Sequence, residues 1–256
     1  MIHSTAIVSP AAELADDVEV GPYSIIGDDV QIGAGTEIGS HVVIKGTTEI
    51  GENNRIFQFA SIGEDPQDKK YDGEKTRLVI GDGNTIREYC TLNRGTAQDI
   101  GVTRIGDNNW LMAYVHVAHD CDIGNETIFA NNSSLAGHVS VGDYVIFGGF
   151  SGAHQFCRVG AHSFIGNNAA VTRDVPPYIM VSGQPAVPRG VNSEGLKRRG
   201  FDSDQARNVK EAFRLLYRSG LRLEEARERI IELAANREEL RIFAEFLEPS
   251  ERSIVR

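Results

Sequence analysis

The chain has 256 residues, a formal net charge of −10, 41% hydrophobic and 7% aromatic residues, and 27 glycines. That is enough chain for a buried core in one large or two modest domains. Residues 1–191 carry 12 Lys+Arg against 23 Asp+Glu, and residues 192–256 carry 14 against 13, so the acidity lies in the N-terminal three quarters; nucleic acid is a poor partner for such a surface.

The opening MIHSTAIVSPAAEL has neither a basic n-region nor a long apolar run, so it does not read as a secretory signal. No stretch reaches the ~18–20 apolar residues of an integral membrane segment. Cys90, Cys121 and Cys157 form no CxxC pair, and each stands two residues before an apolar position (Leu92, Ile123, Val159). They read as small buried thiols in a reducing cytoplasm.

In chain order, every sixth residue is apolar from Ile2 through Val8, Leu14, Val20 and onward to Ile62. The register resumes at Ile80, Ile86 and Leu92, then runs unbroken from Ile105 to Val171, giving 26 such positions in all. A helix would drift in phase by two thirds of a turn per repeat, whereas short strands joined by turns keep period six. This is the hexapeptide pattern of a parallel β-helix, whose repeats bury their apolar residues only by stacking.

Two segments leave the register. Gly63–Val79 is polar and puts Asp68 and Glu74 where apolar residues belong, and Asn93–Arg104 stretches the spacing from Leu92 to Ile105 to 13 where six would do. Both read as loops (about 63–79 and 93–104) projecting from the β-helix, either tolerated insertions or walls of a site. After Val171 a proline-rich connector leads to helical signals: Asn192/Ser193 before EGLKRR (194–199) with Gly200 after, a helix from Ser203 closed by Gly220, Leu223–Ala235 and about Arg237–Leu247. Residues 1–191 thus read as β-helix and 192–256 as a small helical domain. On the Ser203 helix, Arg207, Lys210, Arg214 and Arg218 share one face, opposite Val209, Ala212, Phe213 and Leu216. The apolar side is expected to cap the open end of the β-helix and to leave the basic stripe for a partner.

Folded onto laps of three hexads, His119 stacks under Gly137 and Asp120 under His138, with His154 and Gln155 a lap later. A histidine base beside a preorganised main-chain N–H supplies two parts that acyl transfer needs. No G-x-S-x-G motif appears, so direct attack by the acceptor is the simpler reading. Clustered histidines could instead hold zinc, with His116 and His119 as first candidates, but metal is not expected. A non-catalytic platform that docks partners through its basic helices is a third reading. His3, His41 and His162 read as surface or packing residues.

The segments QDKKY (67–71), HVAHDC (116–121), LAGHVSVGD (135–143), GAHQFCRVGAH (152–162), RDVPPY (173–178) and NSEGLKRRGF (192–201) resemble those of the UDP-N-acetylglucosamine acyltransferases. That resemblance covers nearly the whole chain and implies a left-handed parallel β-helix followed by a small C-terminal helical domain. It implies an enzyme that moves a 3-hydroxyacyl group from acyl carrier protein to the sugar 3-hydroxyl, the first step of lipid A synthesis. By resemblance His119 is the general base, Asp120 its electrostatic partner and the Gly137 amide the oxyanion donor. Asp68 and Lys70 would contact the sugar, with His138, His154 and Gln155 around sugar and pantetheine. Asn192, Glu194 and Arg199 would hold the uridine diphosphate, while Arg198 and the basic stripe would meet the carrier protein. The resemblance further implies a homotrimer with each site between two adjacent β-helices, and no cofactor beyond the acyl-carrier co-substrate.

Two positions depart from the family pattern: Asn93 and Pro185 stand where many members have His. Asn93 leaves N-acylation of a 3-amino sugar open, as is a coenzyme A donor. The residue limiting pocket depth falls on Asn167, which is Gly in longer-chain members, so a shorter acyl chain is expected.

Overall fold

A side chain that must point inward at every sixth position calls for a short strand, a corner and another short strand. The structure, a computed structural model, describes residues 1–248 and 253–256 and has this form. Strands mostly of two residues line up lap upon lap into three sheets of nine, eight and ten strands. Within the laps all pairings are parallel. The coil winds left-handed, against the usual hand of β-crossovers; two-residue strands carry little of the twist that enforces that preference.

Uninterrupted laps are 18 residues, as in Ile7↔Ile25, Ile105↔Ile123 and Phe147↔Ile165. Ile50 pairs with Ile80 and Ile80 with Ile105, intervals 12 and 7 residues longer than one lap. The register survives both insertions because each leaves and re-enters the sheets in phase. The loops are shorter than the sequence pattern suggested. Ser61–Glu64, Arg77–Ile80, Thr91–Asn93 and Val102–Ile105 are strands, which leaves 65–76 and 94–101 as excursions. Backbone hydrogen bonding along the existing ladder absorbs the polar ends that composition alone assigned to loop.

Of the 26 register residues, 23 are buried. The exceptions, Ile2, Val8 and Leu14, belong to the first lap, which has a neighbour on one side only. Each buried aliphatic contributes about 1.5–3 kcal/mol relative to exposure. The three cysteines are free and buried, and burial pushes the Cys90 and Cys121 thiols up to about 12.

Corners turn on left-handed residues. Seventeen described non-glycine residues have φ between 54° and 70°, and none is β-branched, the class for which this region is most strained. Corner residues therefore stack along the edges, as in Tyr23–His41–Phe59–Tyr89–Tyr114 and Tyr144–His162–Tyr178.

The proline-rich connector proves to be part of the third sheet: Ile179–Ser182 pairs antiparallel with Val187–Val191. Four helices follow, α1 (Ser193–Arg198), α2 (Ser203–Tyr217), α3 (Leu223–Ala234) and α4 (Arg241–Phe246), with a 3-10 turn at Glu238–Leu240. Asp202 and Gln205 form a capping box on α2. Val209, Ala212, Phe213 and Leu216 are buried, and Arg207, Lys210, Arg214 and Arg218 are exposed. As expected, α2 reaches the end of the β-helix, lying against Val187–Val191, the terminal strand of the third sheet, and against α3 and the 3-10 turn. The 3-10 turn and α4 share the cover of the last lap. Tyr178 donates its hydroxyl to the Glu239 carbonyl (2.6 Å), and Arg158 lies over the Phe246 ring. Val255 N–H also donates to the Asp174 carbonyl, and one apolar cluster joins β-helix and helices.

His162, in the Tyr144–Tyr178 stack, is held down to about 4 from 6.5 by burial first and the Arg199 charge second. The unfolded chain therefore binds this proton before the folded one does. Its contribution to stability is intact above pH 6.5 and is lost as pH falls toward 4. The melting temperature should fall across that window, and His162→Phe should flatten that part of the slope.

Candidate active site

Where the first sheet turns into the second, corner residues Asp120, His138 and Phe156 fall one lap apart, and both insertions leave from the same edge. Three laps and two loops thereby converge on one place. The His138 ring stacks on Phe156 (4.3 Å between centroids) and meets His119 edge-on (4.9 Å).

Adjacent strand residues point to opposite faces, which argues against a His119–Asp120 contact. Asp120 escapes that rule because it is itself the corner, at φ 57°. Its side chain is fully buried and its Oδ2 lies 2.9 Å from His119 Nδ1. Burial works to raise the Asp120 pKa, but the hydrogen bonds from His119 and Thr96 outweigh it and hold the carboxylate below its ordinary value. An ionised Asp120 accepting from Nδ1–H leaves His119 Nε2 as the free basic nitrogen.

Gly137 is required by contact. A Cβ there would lie 2.5 Å from His119 Cε1 and 2.7 Å from Nε2, so only glycine lets the imidazole rest against the next lap. Among the described residues the Gly137 N–H makes no hydrogen bond, which leaves it available beside the imidazole.

The two loops are fastened to each other. Arg94 is buried and donates to the Gly63 carbonyl, the Asp65 carboxylate and the Tyr71 hydroxyl. Asn93 Nδ2 donates to the Asp65 carbonyl at 2.8 Å. Asp99 accepts from His138 Nδ1 at 2.6 Å. These loops and the corner enclose a cavity of about 830 Å³ lined by Asp68, Lys70, Thr96, Asp99, His119, His138, Gln155 and Phe156.

Other residues picked from the sequence lie elsewhere. His154 and His116 face a neighbouring groove of about 570 Å³ whose floor is Leu135, Ala136, Gly152, Ala153 and Ala170. His116 is pushed below its ordinary pKa mainly by burial, and its Nδ1 lies 2.7 Å from Thr91 Oγ1. The four histidines thus split two and two. Asn167 sits on the edge between third and first sheets, its Oδ1 accepting from Gly149 N–H (3.1 Å); Asn168, not Asn167, lines the groove.

Asn192 and Glu194 open α1 and Arg198 and Arg199 close it, beside the edge between second and third sheets. Asn192 caps α1 and donates to the His162 carbonyl, so both of its amide atoms are engaged. Glu194 pairs with Arg198 (3.1 Å). Arg199 stacks over Tyr144 (4.3 Å) and faces Glu126 (3.5 Å).

Potential metal ligands His119, Asp120 and His138 come within 4.8 Å of one another, a different set from the His116–His119 pair picked by sequence. Asp120 already accepts from His119 and Thr96, so a cation there would displace existing bonds. Sequence reading missed Arg94, Thr96, Asp99 and Phe156. The first two lie in TLNRGT, where the register visibly breaks, whereas Asp99 carried no local signal.

Residues 174–255 match the model described as UDP-N-acetylglucosamine O-acyltransferase, domain 2, and residues 11–46 and 103–137 match the bacterial transferase hexapeptide model. The acyl-[acyl-carrier-protein]--UDP-N-acetylglucosamine O-acyltransferase of Thiobacillus denitrificans is 62% identical over all of this chain and 99% of its own length. That of Janthinobacterium is 59% identical over the same shares. Among solved structures, LpxA from Acinetobacter baumannii superposes with a TM-score of 0.97 at 51% identity, covering 100% of this chain and 99% of that one. The UDP-N-acetylglucosamine acyltransferase of Francisella novicida gives 0.98 at 48% identity, covering 100% and 94%. With near-complete coverage in both directions, the chain belongs to the acyl-[acyl-carrier-protein]--UDP-N-acetylglucosamine O-acyltransferase family.

Proposed function

We propose that this protein transfers a 3-hydroxyacyl group from acyl carrier protein to the 3-hydroxyl of UDP-N-acetylglucosamine, opening lipid A synthesis in the cytoplasm. The observation that carries this reading is the His119 imidazole, held by Asp120 at Nδ1 and resting against the Gly137 main chain. His119 Nε2 takes the proton of the sugar hydroxyl as its oxygen attacks the thioester carbonyl. The Gly137 N–H receives the developing oxyanion. Collapse of the adduct breaks the C–S bond, and the departing thiolate takes the proton back from His119. Asp68 and Lys70 line the cavity and suit the sugar, with Gln155 and His138 opposite. The neighbouring groove, floored by small and apolar residues beside His154, suits the acyl and pantetheine arm. No cofactor is required.

The assembly is a homotrimer on this reading. In a sugar nucleotide the diphosphate adjoins the sugar, yet in one chain the His119 and Arg199 edges are separated by the width of the second sheet, roughly 15–20 Å. A second copy brings the Arg199 edge to the cavity. On the first sheet the positions just before each register residue, Ile7, Ile25, Val43, Ser61, Thr91, His116, Ser134, Gly152 and Ala170, include no Asp, Glu, Lys or Arg on a chain of net −10. Beside them runs the exposed row Tyr23, Phe59, Tyr89 and Tyr114. Both features suit burial against further copies. The exposed basic stripe of α2, with Arg198, suits the acidic carrier protein. Among the described residues no helix is long and apolar enough to cross a membrane.

Asn93 is only 4% exposed and is turned to the backbone of the first loop, so its departure from the family pattern does not place an amine-specific group in the cavity. This favours the hydroxyl acceptor.

His119→Ala should lower kcat at least ~100-fold, and Gly137→Ala should do likewise by displacing the ring, both with the melting temperature unchanged. Near-wild-type turnover in either would count against the site. Product mass from a mixture of acyl donors, offered hydroxyl and amino acceptors together, should show the hydroxyl ester alone. Asn167 does not line its own chain's groove, so on the trimer reading it bounds the acyl arm at the contact with a neighbouring copy, and Asn167→Gly should move that product toward longer chains. Exhaustive chelation should leave the rate unchanged, and a loss restored by zinc would revive the metal reading.

A further inference from the structure

The TLNRGT segment carries more than a substitution at Asn93. Arg94 fastens the 65–76 loop, and Gly95 sits where a Cβ would meet Asp120 Oδ1 at 2.7 Å, so the backbone passes tight against the buried carboxylate. Next in line, Thr96 is 1% exposed and grips that carboxylate twice. Its N–H lies 3.0 Å from both Asp120 oxygens, and its hydroxyl lies 2.6 Å from Oδ2, the oxygen that faces His119 Nδ1.

We infer that Thr96 is the positioning residue of the His119–Asp120 pair, its hydroxyl fixing which Asp120 lone pair is presented to His119 and how strongly that oxygen draws the imidazole proton. The inference rests on the general-base reading of His119. An ionised carboxylate accepts several bonds, and every donor that Thr96 supplies is a share of negative charge withheld from the imidazolium. Without the hydroxyl, Oδ2 keeps the His119 contact and the Thr96 N–H but gains rotational freedom and basicity. The other ionisable groups facing the carboxylate are His138, whose Nδ1 is 4.0 Å from Oδ2, and behind it Asp99. From the lap below, the Thr103 hydroxyl accepts the Asp120 N–H and so fixes the backbone, not the carboxylate.

Thr96→Val keeps the shape and the main-chain donor while removing the hydroxyl. It is expected to lower kcat by roughly 10- to 100-fold, as loss of an outer partner of a reacting group commonly does. KM for UDP-N-acetylglucosamine and the melting temperature should stay within twofold and a few degrees of wild type. A more basic Asp120 stabilises the imidazolium, so the acid limb of the kcat–pH profile should move to higher pH. Thr96→Ser should restore both rate and limb, and Thr96→Ala reports the same loss should the valine variant fold poorly. Unchanged kcat and limb in Thr96→Val and Thr96→Ala, or equal losses in the serine variant, would overturn the inference. His119→Ala assayed in parallel separates the two readings. If it is inactive while Thr96→Val is normal, only the Thr96 inference fails; if it is active, the general-base reading fails.

Discussion

Everything in this molecule depends on one backbone constraint, the in-phase stacking of 18-residue laps through parallel ladders. Because each lap repeats the last, a residue's neighbour above and below is set by its number. That makes the edges into columns, and a column can hold chemistry as readily as it holds aromatic stacks. On one edge the column is aromatic and exposed, on another it carries the Tyr144–His162–Tyr178 pile against Arg199, and on the third it is Asp120, His138 and Phe156.

The same constraint explains where variation is allowed. Both insertions open at the Asp120 edge and rejoin the ladder in register, so they add side chains to the cavity without disturbing the core. One loop brings Asp68 and Lys70; the other brings Thr96 and Asp99 onto the site carboxylate and imidazole. Arg94 ties the two together, so cavity walls and proton-transfer groups belong to one hydrogen-bonded unit. The left-handed corner allowed two neighbours in sequence, His119 and Asp120, to become neighbours in chemistry.

Much of this was readable before any coordinates. The apolar hexads specified lap, core and insertions, because period six has few other physical solutions. His119 over Gly137 followed from the same counting. Counting failed where contacts arise off the ladder. Asp99 reaches His138 across 39 residues through a loop of no fixed period. The grouping of His116 and His154 away from His119 depends on which residues face a sheet and which turn a corner. The share of the 3-10 turn and α4 in covering the last lap beside α2 was illegible because amphipathic faces announce that they are buried, not against what.

The most direct test is an experimental structure of the protein with UDP-N-acetylglucosamine bound. The account predicts the sugar 3-hydroxyl within about 3 Å of His119 Nε2, close to the Gly137 N–H, with the diphosphate on the Arg199 edge of a neighbouring copy. A sugar seated away from the Asp120 edge, or a nucleotide held wholly within one chain, would contradict it.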